Sequence, residues 1–154
     1  MARFLYLLSC GALVGAQLFF AAGAVQVAFP QEVSALPRDD PRRQFAADQV
    51  GAMLARLDAA TLAGAAVAVV CAILAGRRSA AIKPLLAGLC ALVSMALVTP
   101  AIHAMREAGA TGSKRFGWLH GASTSLLVVE IALLVCALWQ GARWANIENG
   151  PQGG

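Results

Sequence analysis

The distribution of charged residues constrains the fold of this chain more than any other feature of its sequence. Of 154 residues, 13% are charged and 59% are hydrophobic, whereas a soluble domain carries about 25% charged residues. The charges cluster, and the stretches between the clusters are almost free of charge; the clusters lie at 32–58, 77–83, 106–115 and 143–148. Because a helix needs about 20 apolar residues to cross a ~30 Å hydrocarbon layer, this pattern predicts four transmembrane helices.

The predicted fold is an all-α, integral membrane, antiparallel four-helix bundle. It forms one domain over 1–145, followed by a flexible polar tail at 146–154, and its spans are predicted at 4–29, 48–76, 84–104 and 116–142. Asp48 is expected to cap the second helix, and Pro84 is expected in the first turn of the third, where its missing N–H is harmless. The apolar run that starts the chain continues to Phe29, which favours a retained first span over a cleaved signal peptide.

The charge of +4 does not indicate binding to nucleic acid, because the basic residues lie singly or in pairs at the ends of apolar runs. The expected partners are the lipid bilayer and either a second copy of the chain or a larger membrane complex. The short loop 77–83 is purely basic, which favours a bacterial inner membrane location with both termini cytoplasmic, although more Lys and Arg residues fall on the other side. Small residues at four-residue spacing predict close packing within the bundle: Gly11 with Gly15, Gly64 with Ala68, and Gly117 with Gly121.

Two histidines are expected near the membrane face opposite the termini. His103 ends the third span and His120 opens the fourth. Asp48, Arg56 and Asp58 join them from the start of the second. Neutral imidazole is the commonest metal ligand in proteins, so His103 and His120 are candidate ligands for haem iron or a metal ion. The alternative is that each histidine only bonds to a loop carbonyl or carboxylate.

Glu130 is the one carboxyl group expected near the middle of the bilayer. It follows His120 by ten residues, which is about 15 Å of helix rise. Gln17 comes out at nearly the same depth in the first span, which predicts a Gln17–Glu130 hydrogen bond between neighbouring helices. Ionisable residues at this depth are costly and commonly functional, so Glu130 either carries a proton or cation, or joins helices in its neutral form.

The cysteines provide a third candidate site. One falls in each span and all are expected at one depth: Cys10, Cys71, Cys90 and Cys136. Four thiolates can hold a metal ion, and pairs can be redox-active. The alternative is that they serve as small apolar residues of the core, since the sequence contains no Cys-x-x-Cys pattern.

Several segments resemble a known family. They are Gly11-Ala-Leu-Val-Gly-Ala-Gln-Leu-Phe-Phe closing on Phe29-Pro30, Val50-Gly-Ala-Met-Leu-Ala-Arg-Leu-Asp58, Thr99-Pro-Ala-Ile102 and, most distinctively, Phe116-Gly-Trp-Leu-His-Gly-Ala-Ser123. The chain is similar here to small bacterial domain-of-unknown-function membrane proteins that look like eukaryotic transmembrane protein 205. That resemblance implies a four-helix membrane protein and adds Ser123 and Gly121 to His120 as site candidates. Leu127 stands where the family usually has Asn. Copper-resistance membrane proteins and haem-pathway oxidases have similar folds, which keeps a haem or metal cofactor open by analogy.

Three functional hypotheses follow. The first is a non-enzymatic membrane protein that binds or moves a small solute, ion or metal through a polar pocket near the outer face, lined by His120, His103 and Asp58 with Glu130 below. The second is a structural or assembly subunit of a larger membrane complex, whose polar residues only join helices. The third is a haem- or quinone-linked redox protein. Hydrolase and phosphate-binding motifs are absent from the sequence, so an enzyme is the less favoured class.

Overall fold

Five helices make up the regular structure of the described chain. A computed structural model describes residues 1–37 and 40–148, with the side chains of 145–148 excepted. The helices are α1 (Ala2–Ala28), α2 (Gln31–Ser34), α3 (Pro41–Leu74), α4 (Arg78–Glu107) and α5 (Lys114–Glu148). The predicted all-α class is confirmed. Four of the helices are long and apolar enough to cross a membrane, so the chain is a multi-pass membrane protein.

The four long helices form an antiparallel bundle in which each has two main neighbours. Both α1 and α4 pack against α3 and α5. One end of the bundle holds the start of α1, the end of α5 and the α3–α4 turn, and we call it the terminal end. The other end, which we call the loop end, holds the α1–α3 connection and the α4–α5 turn. The α3–α4 turn and the α4–α5 turn each contain a glycine with positive φ, Gly76 (68°) and Gly109 (66°) respectively. This conformation is typical of a glycine just past a helix end.

Helix α3 begins earlier than the sequence predicts, so the assignment of Asp48 as its cap was wrong. The capping residue is Asp40, whose side chain accepts a hydrogen bond from the Arg42 N–H (2.9 Å), and Pro41 occupies the first turn. Asp48 lies inside the helix, 3.6 Å from the Arg106 guanidinium. A helix can continue into water beyond its apolar part, so the apolar run marks the membrane segment rather than the helix end.

Helix α4 likewise begins at Arg78, so Pro84 lies inside the helix rather than in its first turn. Pro84 has no N–H to donate to the carbonyl four residues earlier, which belongs to Ala80. The hydroxyl of Tyr6 is 3.1 Å from that buried carbonyl and 3.3 Å from the carbonyl of Ala137. The Tyr6 ring packs on Trp144 with centroids 4.8 Å apart. One buried tyrosine therefore joins α1, α4 and α5 near the terminal end.

Only part of the predicted small-residue packing is present. A Cβ added at Gly64 would lie 2.8 Å from Leu13, so this glycine lets α1 and α3 approach closely. An added Cβ would meet nothing within 4 Å at Gly15, Gly117 or Gly121, so the prediction of packing within the bundle was wrong for these three. The tightest helix contact that the sequence analysis missed is at Gly141, where an added Cβ would lie 2.8 Å from the Tyr6 ring.

The predicted tail at 146–154 begins too early, because α5 continues to Glu148. Residues 149–154 of that tail, like Arg38 and Asp39 of the α1–α3 connection, lie outside the described residues.

Candidate functional site

A cluster of buried polar side chains lies inside the bundle, and each of the four long helices contributes to it. We call it the polar layer. Each member is at most 3% exposed; the members are Gln17 from α1, Asp58 and Thr61 from α3, Ser94 from α4 and Glu130 from α5. Buried polar groups in membrane proteins are costly unless they are paired, and they often mark functional sites.

Gln17 lies at the centre of the hydrogen bonding in the polar layer. Its amide nitrogen donates to the Glu130 carboxyl (2.8 Å) and to the Thr61 hydroxyl (3.1 Å), which uses both of its N–H donors. The Gln17–Glu130 hydrogen bond predicted from the depth of the two residues is confirmed. Thr61 was not predicted, although its position three residues after Asp58 puts both on one face of α3.

Asp58 brings a second carboxyl group into this layer. The Ser94 side chain of α4 is close enough to the Asp58 carboxyl to interact with it, and Asp58 and Glu130 are close enough to interact electrostatically. From the sequence, Asp58 is expected with the histidines near the outer face, whereas the structure groups it with Glu130. Ser94 was not predicted, and a single Ser in an apolar span gives no signal by which to select it.

Two oxygen atoms in the polar layer have no hydrogen-bond partner although water cannot reach them. They are Oε1 of Gln17 and Oδ2 of Asp58. A buried acceptor without a partner costs about 1–3 kcal/mol, so each such atom in a folded protein calls for an explanation. Both oxygens can accept a hydrogen bond from a proton donor or coordinate a cation.

Each of the two helices α1 and α4 contains a π-helical turn beside this layer. The turn in α1 is Phe20–Ala24, which begins three residues after Gln17, and the turn in α4 is Ser94–Val98, which begins at a member of the layer. In α4 the turn ends two residues before Pro100, whose missing N–H already interrupts the regular bonding pattern. π-Helical turns inside α-helices are frequent at functional sites, and here they lie where the polar side chains converge.

The residues predicted to line the outer pocket do not form one site. His120 and Arg56 are exposed, and the His120 ring stacks on Phe116 at 6.4 Å. His103 is half-buried, and its ring packs beside Gly51 of α3. No hydrogen bond or ring contact joins the two histidines in the described part of the chain. Ser123 is buried in α5, two helical turns before Glu130 and on the same face.

The cysteines do not form one site either. Cys10 and Cys71 are buried and close enough to interact, Cys90 is half-buried, and Cys136 is exposed. Within residues 1–37 and 40–148, no group of three or more His, Cys, Asp or Glu side chains is arranged to hold a metal ion. The geometry of the candidate ligands therefore gives no support to a four-cysteine site, and a metal or haem site at His103 and His120 stays a prediction.

A scan against protein-family models and searches of curated proteins and of solved structures found no match. The resemblance to the transmembrane protein 205-like family therefore stays a prediction.

Proposed function

We propose that this protein binds a proton or a small monovalent cation at the polar layer, as an ion-binding protein of the bacterial cell membrane. The observation that carries the proposal is the pair of buried carboxyl groups, Asp58 and Glu130, in a layer where one Asp58 oxygen and the side-chain oxygen of Gln17 have no hydrogen-bond partner. The predicted pocket near the outer face is replaced in this proposal by a site inside the bundle.

The physical argument starts from the cost of charge in a membrane. One charged carboxyl at the middle of a bilayer costs about 2.5–3.5 kcal/mol even on the least severe scale, and a second one nearby adds electrostatic repulsion. Such a pair has to be neutralised by protons or by a cation. A proton bound to one carboxyl group makes that group an O–H donor, which can hydrogen-bond to an oxygen that otherwise has no partner. A bound cation instead is coordinated by such oxygens.

The arrangement also connects ion binding to helix packing. Because the side chains that would respond come from all four long helices, gain or loss of one positive charge changes bonds that hold the whole bundle together. A binding site of this kind fits a protein that moves an ion or senses one better than it fits an inert anchor.

The orientation proposed for the protein has its termini in the cytoplasm. The terminal end carries Arg3, Arg77, Arg78, Lys83 and Arg143, and the described side chains at this end include no acidic residue. The proposal rests on the short α3–α4 connection, which is purely basic, because the positive-inside rule applies to short loops. By number alone, more Lys and Arg residues lie at the loop end.

Infrared difference spectroscopy of the protein in lipid vesicles tests the proposal. Raising the pH at constant sodium, or adding sodium at constant pH, is expected to remove the carbonyl band of a protonated carboxyl. Glu130→Gln is expected to abolish the change, and the matched variant Glu107→Gln, at an exposed position of α4, is expected to retain it. A response to pH alone identifies a proton site, and displacement by sodium identifies a cation site.

The alternative is a structural subunit in which the same hydrogen bonds only join helices. It predicts a spectrum that changes with neither pH nor sodium while Glu130→Gln weakens the bundle, and that result would contradict ion binding. A visible absorption band in the purified protein would instead favour the haem-linked hypothesis.

A further inference from the structure

A second feature of the bundle lies far from the polar layer, in a cleft between α4 and α5 at the terminal end. The cleft has a volume of about 620 Å³. Its described lining residues include Arg77, Lys83, Val135, Trp139, Gln140 and Arg143. Three of them are cations and none is acidic, so the cleft concentrates positive charge without neutralising it.

One of the three cations, Lys83, is held in place by a neutral partner. The Lys83 ammonium donates to the Gln140 side-chain oxygen at 2.6 Å. An ammonium group has three N–H donors, and no carboxylate of the described residues pairs with Lys83, Arg77 or Arg143. Lys83 is therefore fixed by a bond that leaves its charge and two donors available to a ligand.

The start of α4 adds to the positive potential in the same place. Arg77 is the residue that precedes the first turn of α4, and no side chain of the described residues caps that turn. The N–H groups of a helix's first turn and the positive end of its dipole attract anions. The backbone and the three side chains thus favour the same kind of ligand.

The outer wall of the cleft is apolar and open to the lipid. Trp139 is 70% exposed and Val135 is 47% exposed, and both lie on α5 on the bilayer side of Arg143. Tryptophan is enriched where a membrane protein crosses the interface between hydrocarbon and headgroups. A ligand that fits this cleft has an anionic head beside the cations and an apolar part beside Trp139 and Val135.

The cleft at the loop end shows that this charge pattern is not general. That cleft is lined mostly by apolar residues, among them Val27, Val33 and Phe45. Its one cation, Arg42, is already paired with Asp40 at 3.4 Å. Of these two clefts, the terminal-end cleft is the one that combines several unpaired cations with an apolar wall.

We infer that the terminal-end cleft binds the headgroup of an anionic phospholipid from the adjoining leaflet, with its phosphate beside Lys83, Arg143 and Arg77 and its acyl chains along Trp139 and Val135. Basic clefts between transmembrane helices on the cytoplasmic side are typical sites for anionic lipids. This inference is independent of ion binding at the polar layer, and either can fail while the other holds.

Quenching of tryptophan fluorescence by brominated lipids tests the inference, because Trp139 lies in the cleft. In a Trp118→Phe background, which removes the exposed tryptophan of the loop end, brominated phosphatidylglycerol is expected to quench at lower mole fraction than brominated phosphatidylcholine. Lys83→Gln with Arg143→Gln is expected to reduce the preference for phosphatidylglycerol by roughly 25-fold, since each cation near a lipid surface contributes about fivefold.

The matched control is Lys114→Gln with Arg115→Gln, which removes the same two residue types from exposed positions at the loop end. This variant is expected to keep the preference. A second test variant, Arg77→Gln with Arg143→Gln, leaves the Lys83–Gln140 bond intact and is expected to lose the preference with an unchanged helical circular dichroism spectrum.

Three results would overturn the inference. The first is equal quenching by the two lipids in the parent protein. The second is an equal loss of preference in the test and control variants, which would indicate a general surface-charge effect. The third is competition by inorganic phosphate, but not by chloride at the same ionic strength, which would assign the cleft to a soluble phosphate.

Discussion

The side-chain amide of Gln17 donates a hydrogen bond to the carboxyl of Glu130 at 2.8 Å and so joins the first and last transmembrane helices. The same nitrogen reaches Thr61 of α3 at 3.1 Å. One glutamine therefore holds three helices at the level where the two buried carboxyl groups lie. The stability of the bundle and the chemistry of its proposed site depend on the same contacts.

Replacement of Gln17 by Ala is expected to lower the free energy of unfolding by about 1–2 kcal/mol. The change removes two interhelical hydrogen bonds, each worth ~0.6 kcal/mol and at most about 1.7 in a membrane protein, and leaves Glu130 without this donor. Unfolding by denaturing detergent in micelles measures the loss. Gln26→Ala, at an exposed position of the same helix, is the control and should change stability by less than ~0.5 kcal/mol.

Asp58 and Glu130 are expected to be energetically coupled. A double-mutant cycle with Asp58→Asn and Glu130→Gln should give an interaction energy of about 0.5–3 kcal/mol in unfolding, because neighbouring groups in one network do not contribute additively. Asp48→Asn combined with Glu130→Gln is the control cycle, since the Asp48 side chain is 66% exposed at the loop end. Additive effects in the first cycle would show that the two carboxyl groups do not act as a pair.

Replacement of Gly141 by Ala is expected to destabilise the bundle by about 1–3 kcal/mol, the usual cost of overpacking. The new Cβ would lie 2.8 Å from the Tyr6 ring, which cannot shift without loss of its contacts with Ala80 and Ala137. Thermal unfolding in detergent measures the effect. Gly15→Ala has open space around the added Cβ, and its effect should be neutral or slightly stabilising because Ala is the better helix former.

The N-terminus of α3 is expected to loosen in acid. The Arg42 backbone N–H and then the Arg42 side chain hold the pKa of Asp40 below its ordinary value of 3.8. A lowered pKa in the folded state means that the stabilisation is present above the ordinary pKa and is lost as the pH falls through the lowered one. The amide proton resonance of Arg42 in an NMR titration should move in that acidic range, and Asp40→Asn should remove the transition.

The cysteines are expected to differ in reactivity. Cys136 is exposed and Cys10 and Cys71 are buried, so a membrane-permeant maleimide should modify Cys136 first and Cys10 and Cys71 only after unfolding. Mass spectrometry of the labelled protein gives the order, and Cys136→Ser should remove the fast phase. Equal rates at all four positions would contradict the packing of the bundle.

The depth of a residue along its helix could be predicted from sequence, but the direction of its side chain could not. Counting 1.5 Å per residue placed Gln17 and Glu130 at one level, because helix rise is constant. The same counting grouped Asp58 with the histidines, since Asp58 lies near the start of the second predicted span (48–76) and His103 near the end of the third (84–104). Whether Asp58 points to Ser94 or to the outer face depends on the rotation of α3.

The sequence by itself determined four membrane-spanning helices and their antiparallel order, because apolar runs of this length have to be buried in lipid and short connections force neighbouring helices to alternate. Only the tertiary structure decided which polar groups meet. Helix rotation and bundle packing set the inward face of each helix. They place Gln17 in contact with Glu130 and Thr61, and they leave the side chains of His120 and Cys136 exposed. They also leave two acceptor oxygens without a hydrogen-bond partner. A rotation of one residue, about 100° for 3.6 residues per turn, would exchange an inward side chain for an outward one without changing the hydropathy of the sequence.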